Sequence, residues 1–317
     1  MADPNDFETF KHKLTQQTLQ DIEGLDVKEV GFGREECCGP IPPKLKNSMK
    51  LNEHIFIGTK TPAPQWDKRT ENIEGYPQFS KIVKEKKLDA TVNVYEVPEG
   101  QEENVLHVAL DEKTGALSVH QYNNPSFEEF PWENKGTLST DRSNEYFVFV
   151  CAHSTRDSRC AYCGAILVDL LRSAVKEKLI EEEAKKITIV PCSHVGGHIY
   201  AGNVLVYSRH GGVCFGLFKP VDVDALIEFM KADSGVLPVS LRARVRGQML
   251  LKKGGAWCSS IEREAVIPVA AFSSPFGFGP FGSVFFFGFP FSVRFGFGFP
   301  FFPFFPFRVT VTVTGTR

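Results

Sequence analysis

Apolar and polar positions change rhythm several times along the chain. Phe7, Phe10, Leu14 and Leu19 fall roughly on one helical face, which predicts a helical extension over 1–30. Residues 31–50 hold Gly31, Gly33, Gly39, Pro40, Pro42 and Pro43, a loop composition. Apolar runs then predict strands at His54–Gly58, Thr91–Val97 and Val105–Leu110. Asp111–Gly115 reads as a turn into Ala116–His120, so the chain there forms a hairpin. Residues 122–144 are polar and proline-containing and read as a linker.

From residue 145 the pattern sharpens. Tyr146–Cys151 is a continuous apolar run, the mark of a strand buried on both faces. After a polar loop, Ile166, Leu167, Leu170, Leu171 and Val175 recur with a helical period within Cys160–Lys178. Ile187–Val190 is a second buried strand, followed by a loop with Gly196, Gly197 and Gly202. Val204–Tyr207 and Val213–Phe218 flank Arg209–Gly212 as an antiparallel hairpin. A last helix starts near Asp222 or Asp224 and runs to Met230. The fold class is therefore α/β, with a βαβ–ββα unit at the C-terminal side whose first two strands run parallel. That order is the thioredoxin type with its middle helix shortened or lost. No internal repeat, dinucleotide fingerprint or Walker-type loop is visible.

Composition adds one anomaly. Of 29 phenylalanines, 17 lie in the 36 residues from Phe272 to Phe307, a tract dense in Gly and Pro with Arg294 as its only charge. It has no helical or strand period, and its Gly and Pro content argues against a spanning helix. It reads as a disordered tail or a misread coding segment, with an aggregation-prone or partner-binding tail as the alternative. The expected organisation is a helical extension (1–30), a smaller α/β domain (31–140), the βαβ–ββα domain (141–250) and the Phe/Gly/Pro-rich tail (251–317).

A net charge of −2 excludes a basic polyanion binder, so no nucleic-acid partner is expected. The body has no long apolar stretch, so no membrane partner is expected either. The first residues carry neither an export signal nor a mitochondrial presequence, which points to the cytoplasm. Eight cysteines are too sparse for a disulfide scaffold, so clustered cysteines read as metal-binding or redox-active.

The chemistry concentrates in two loops. The first buried strand ends at Cys151, with Cys160 beyond it. The second ends at Val190, with His194 and His198 beyond it. Parallel strands end at the same sheet edge, where open α/β sheets place their ligands, so these loops should emerge side by side. Two thiolates and two imidazoles would converge there. Taken singly, a strand-end Cys is often a small buried apolar residue and a loop His is usually solvated. The Cys spacing is wide for a zinc knuckle. Two Cys and two His match the Rieske ligand set, although the Rieske spacing is absent. Cys160 and Cys163 form a Cys-x-x-Cys at a helix start, which leaves a thiol–disulfide oxidoreductase open. A zinc-stabilised interaction module is the third reading. The adjacent Cys37 and Cys38 have no assigned role.

The two motifs, Cys151-Ala-His-Ser-Thr-Arg-Asp-Ser-Arg-Cys160 and Pro191-Cys-Ser-His-Val-Gly-Gly-His198-Ile-Tyr-Ala-Gly-Asn203, resemble those of the sucrase/ferredoxin-like family. The resemblance is strong over 140–250 and weak over 30–140. It implies a thioredoxin-like ferredoxin domain holding a 2Fe-2S cluster on Cys151, Cys160, His194 and His198. Cys163, Cys192 and His153 would lie nearby. It implies an electron carrier rather than a stand-alone enzyme, with a redox protein partner. The chain departs from the family pattern at Ala161, Ile199 and Val245, the last just before Arg246-Gly-Gln-Met249. No pair of glycosidase carboxylates is discernible.

Overall fold

A computed structural model describes residues 11–24, 44–111, 116–134 and 136–249. Phe7, Phe10, Cys37, Cys38, the hairpin tip and the Phe-rich tail lie outside the described residues. The strands are β1 (Glu53–Thr59), β2 (Ala90–Glu96), β3 (Asn104–Leu110), β4 (Leu117–Asn123), β5 (Thr140–Asp141), β6 (Tyr146–Cys151), β7 (Ile187–Cys192), β8 (Val204–Ser208), β9 (Gly211–Phe215) and β10 (Val245–Met249). The helices are α1 (Gln16–Ile22), α2 (Tyr76–Glu85), α3 (Ser158–Lys178), α4 (Glu181–Ala184), α5 (Val223–Ala232) and α6 (Val239–Arg242). The ten strands of the described residues join one mixed sheet in the order β10-β9-β8-β6-β7-β2-β1-β3-β4-β5.

The βαβ expectation holds: β6 and β7 run parallel from Tyr146 beside Ile187 to Cys151 beside Cys192, with α3 between them in sequence. The β8–β9 hairpin is antiparallel, and β8 also pairs with β6. Between β7 and β8 the chain makes only a three-residue 3-10 turn, His198–Tyr200.

The first half repeats this wiring. β1 and β2 are parallel and joined through α2, β3 pairs antiparallel with β1, and β4 pairs antiparallel with β3. The sequence shows no such repeat, because topology can be duplicated without any shared residue pattern. The helix over Tyr76–Glu85 was not anticipated either. Nor do residues 122–144 form a loose linker. Phe130 is 1 % exposed and stacks on Trp132 at 4.6 Å, Trp132 stacks on His107 at 3.7 Å, and β5 adds an edge strand.

The halves join where β2 meets β7, through Tyr95 beside Cys192. Ser193 N–H donates to the Val94 carbonyl (2.8 Å), and Val94 N–H donates to Ser193 Oγ (2.9 Å). The sheet folds over at this seam. In a flat sheet β1 and β6 would lie about 14 Å apart, yet Phe56 and Phe149 stack at 3.7 Å with rings 5° from parallel. An apolar layer containing Phe56, Leu106, Phe149, Leu205 and Tyr207 fills the space between the two half-sheets. α3 and α5 cover the outer face of the second half, and α2 covers that of the first. Burying each such Phe contributes about 2–3 kcal/mol.

α3 forms because its start and its buried stripe agree. Asp157 caps it, accepting from Arg159 N–H at 3.0 Å. Ile166, Leu167, Leu170, Leu171, Ala174 and Val175 face the sheet, and Lys176 and Lys178 suit the negative end of the helix dipole. No helix among the described residues is long and apolar enough to cross a membrane.

Candidate metal centre

The parallel strands β6 and β7 end side by side at Cys151 and Cys192. Beyond Cys151 the chain crosses a short polar loop and enters α3, whose third residue is Cys160. The helix start lies directly on the strand end because position 164 is glycine. A Cβ there would sit 2.3 Å from the Cys151 carbonyl oxygen and 2.7 Å from Ala152 Cα. That close approach sets Cys160 against Cys151.

β7 runs on into Ser193 and His194. His194 Nδ1 lies 3.9 Å from Cys151 Sγ and 3.8 Å from Cys160 Sγ. The donor atoms of these three residues lie within 4.8 Å of one another, a group able to hold a metal ion. Both thiols are buried, at 1 % and 0 % exposure, while His194 is partly exposed. The fourth expected residue stands apart. The His198 ring is 6.1 Å from that of His194 and 27° from parallel, and its side chain is 51 % exposed. Its Nδ1 lies 3.9 Å from Asp157 Oδ2.

The Cys151 thiol is pulled well below its ordinary range. The hydrogen bond from Cys160 does most of this against the opposing cost of burial, and His194 adds to it. Cys160 is held correspondingly high, first by that same bond and then by burial. The two thiols thus share a proton unequally, and a metal bound by both would displace it. Asp157 is half-buried, which works against its charge, but the Arg159 guanidinium still holds its carboxyl below the usual range.

Other residues of the two motifs take different positions. His153 is buried and its ring is lowered in pKa chiefly by that burial. Its Nε2–H donates to the Asp67 carbonyl (2.9 Å), and its Nδ1 accepts from His194 N–H (3.3 Å). His153 therefore orients the His194 backbone. Cys163 packs in the core under α3, and Cys192 is fully buried in the layer between the half-sheets, its thiol raised by burial.

Three supporting residues were not singled out as site residues in the sequence. Asn93 on β2 donates to Ser193 Oγ (2.8 Å) and to the carbonyls of Ser193 and His194 (both 3.3 Å). His54 Nε2–H donates to Asn93 Oδ1 at 2.8 Å from behind. Arg246 on β10 donates to Ser48 Oγ (3.0 Å), the Gly196 carbonyl (3.0 Å) and Asn203 Oδ1 (2.6 Å), and stacks over Tyr200 at 4.8 Å. Gly197 makes room for it: a Cβ there would lie 2.3 Å from Arg246 Nη2, and its φ of +69° favours glycine. The one signal in the sequence was polarity inside apolar strands, at Asn93 and Arg246.

Fold and site together define an α/β protein with two buried thiols and a partly exposed imidazole at paired parallel strand ends. The chain belongs to the sucrase/ferredoxin-like family, whose profile matches residues 44–243. It is 26% identical over 237 residues to the Altered inheritance of mitochondria protein 32 of Meyerozyma guilliermondii, covering 74% of each chain. It is 32% identical over 91 residues to the Actin patches distal protein 1 of Saccharomyces cerevisiae, covering 26% of this chain and 29% of that one. It is 31% identical over 111 residues to the Altered inheritance of mitochondria protein 32 of Candida glabrata, covering 30% of this chain and 34% of that one. The chain thus spans about three quarters of the first relative and about a third of the others' length. No solved structure matches it.

Proposed function

We propose that this protein is an electron carrier whose Cys151, Cys160, His194 and His198 hold a 2Fe-2S cluster. The two topologically equivalent halves would then be two thioredoxin-like units, over 31–140 and 141–250, with the second serving as the ferredoxin domain. The observation that carries the reading is the convergence of Cys151, Cys160 and His194 on one point. Thiolate and imidazole donors suit iron–sulfur or zinc, not hard oxygen-seeking cations. His198 stands one ring further out, which favours a group wider than a single ion, whose donors would all lie about 2.0–2.3 Å from it.

When bound, such a cluster supplies one-electron chemistry at a potential raised by its histidine ligands. The chain's own residues do the rest. Cys151 and Cys160 keep water from the inner side of the site. Through His153 and Asn93 the His194 backbone is fixed. His198, exposed at the rim with its Nδ1 3.9 Å from Asp157 Oδ2, would be the ligand in reach of water and of a partner. A redox protein would dock at this exposed side to give or take the electron.

The test is anaerobic purification with visible absorption and metal analysis. The expected result is a coloured protein with about two irons and two acid-labile sulfides per chain. Stoichiometric zinc without visible absorbance would overturn the proposal and leave a zinc-stabilised module. Cys163→Ser should keep the colour, since that thiol packs in the core, whereas a thiol–disulfide activity of Cys160 and Cys163 would be abolished by it. His198→Cys should keep a cluster and lower its potential.

A further inference from the structure

Beside the thiol–imidazole group lies a cleft of about 730 Å³ whose walls come from both halves. That volume falls within the roughly 300–1,000 Å³ of small-molecule sites. Lys68 and Arg69 line one side, Lys81 and Lys84 of α2 another, and Arg156 of the cysteine loop a third. Two carboxylates, Glu71 and Glu85, also line it. Lys81 is paired with Glu85 at 3.8 Å. Lys68, Arg69, Lys84 and Arg156 have no ion-pair partner among the described residues. The protein as a whole carries a net charge of −2, so this concentration of positive charge runs against its composition. His153, Ser193 and His194 also line the cleft, and the Tyr76 ring adds a flat face.

The walls are held together. His153 bonds the Asp67 carbonyl, and Thr155 Oγ1 donates to the Trp66 carbonyl at 2.6 Å, which ties the Lys68–Arg69 loop to the cysteine loop. Between those residues and α2, Thr70 is buried with a φ of +60°, a conformation that a β-branched residue adopts only when its surroundings impose it. A concave, preformed and cationic site concentrates anions and focuses their approach. Its volume is that of a small-molecule site.

We propose that this cleft binds a small polyanion, a molecule carrying phosphate or clustered carboxylate groups, and seats it against His194. Binding does not depend on what the thiol–imidazole group holds, so either reading can fail without the other. The experiment is calorimetric titration of the purified full chain at low ionic strength, with inorganic pyrophosphate in one arm and citrate in the other. Saturable binding at one site per chain is expected, and the stronger arm tells phosphate from carboxylate as the preferred group. Arg69→Glu combined with Lys84→Glu should weaken it by about tenfold or more. The neutral pair Arg69→Gln with Lys84→Gln should weaken it less. Lys185→Glu, just past α4 and outside the cleft lining, should leave it unchanged. Raised salt should weaken binding in step with screening. Absence of saturable heat with both anions at millimolar concentration would overturn the proposal, as it would if the site served an acidic protein surface instead. Equal affinity in the double charge-reversal variant would overturn it too.

Discussion

Gly164→Ala is the smallest change that should separate the two cysteines. The added methyl would lie 2.3 Å from the Cys151 carbonyl oxygen, where ordinary contact begins at 3.4 Å. Backbone lies on both sides, so the start of α3 must lift by about 1 Å. Overpacking of this kind costs about 1–3 kcal/mol. Alanine regains about 1 kcal/mol of helix propensity over glycine. The net loss of stability is therefore small, up to about 2 kcal/mol. The effect on the site is larger, because Cys160 moves with the helix while Cys151 and His194 stay on the sheet. Ala165→Gly provides the comparison. It should cost about 1 kcal/mol through helix propensity alone and leave the donors in place. Urea unfolding and bound-metal analysis on both variants read the two effects separately. Gly164→Ala is expected to lose metal at a stability close to that of Ala165→Gly. A Gly164→Ala protein with wild-type metal content and spectrum would refute the argument that this contact sets the cysteine pair.

Two further outcomes follow from the residues behind the site. His54 is 1 % exposed and its pKa is lowered to about 4 by burial, so the unfolded chain binds its proton more readily than the native one. Its contribution is complete above the unfolded value near 6.5 and is lost as pH falls from there towards 4, by roughly 3 kcal/mol in all. His54→Gln should flatten this part of the pH–stability curve, and an equal drop in both proteins between pH 7 and 4.5, measured by urea midpoints, would rule it out as the source. Arg246→Lys keeps the charge but loses the fork that holds Ser48, Gly196 and Asn203, at a cost of about 3 kcal/mol. Amide exchange across Val195–His198 should accelerate, and unchanged exchange there would show that the loop does not rely on Arg246.

The second half was legible because its residues carry two signals at once. Tyr146–Cys151 is apolar throughout, as a strand covered on both faces must be, and α3 pairs an apolar stripe with a capping Asp157. Parallel pairing then follows, and with it the meeting of Cys151, Cys160 and His194. That His198 stands at the rim, one ring beyond His194, was not legible, since chain spacing does not report the two successive glycines with positive φ that lead into it. α2 was missed because its buried side is narrow: Phe79 is its only fully buried residue, and Pro77 near its start reads as a breaker. Residues 122–144 read as a linker because the few aromatics that anchor them, Phe130 and Trp132, are scattered among polar neighbours.

The duplicated wiring explains why one half carries the donors and still needs the other. At the matching strand ends of the first half stand Thr59 and Glu96, each closed off by ordinary hydrogen bonds, to Glu103 at 3.1 Å and from Ala63 N–H at 2.9 Å. Among the described residues no metal-ligating group is found there. That half instead supplies the back of the site. Asn93 and Val94 of β2 hold Ser193 and the His194 carbonyl, while the Trp66 and Asp67 carbonyls hold Thr155 and His153. Because the antiparallel β2–β7 seam overlaps the C-terminal ends of both parallel pairs, each of these bonds crosses from one half to the other. The second half alone would keep the two thiols on one strand end and one helix, and lose the partners that fix His194 against them. The positions that sequence motifs mark as ligands thus depend on strand residues of the first half that carry no motif at all.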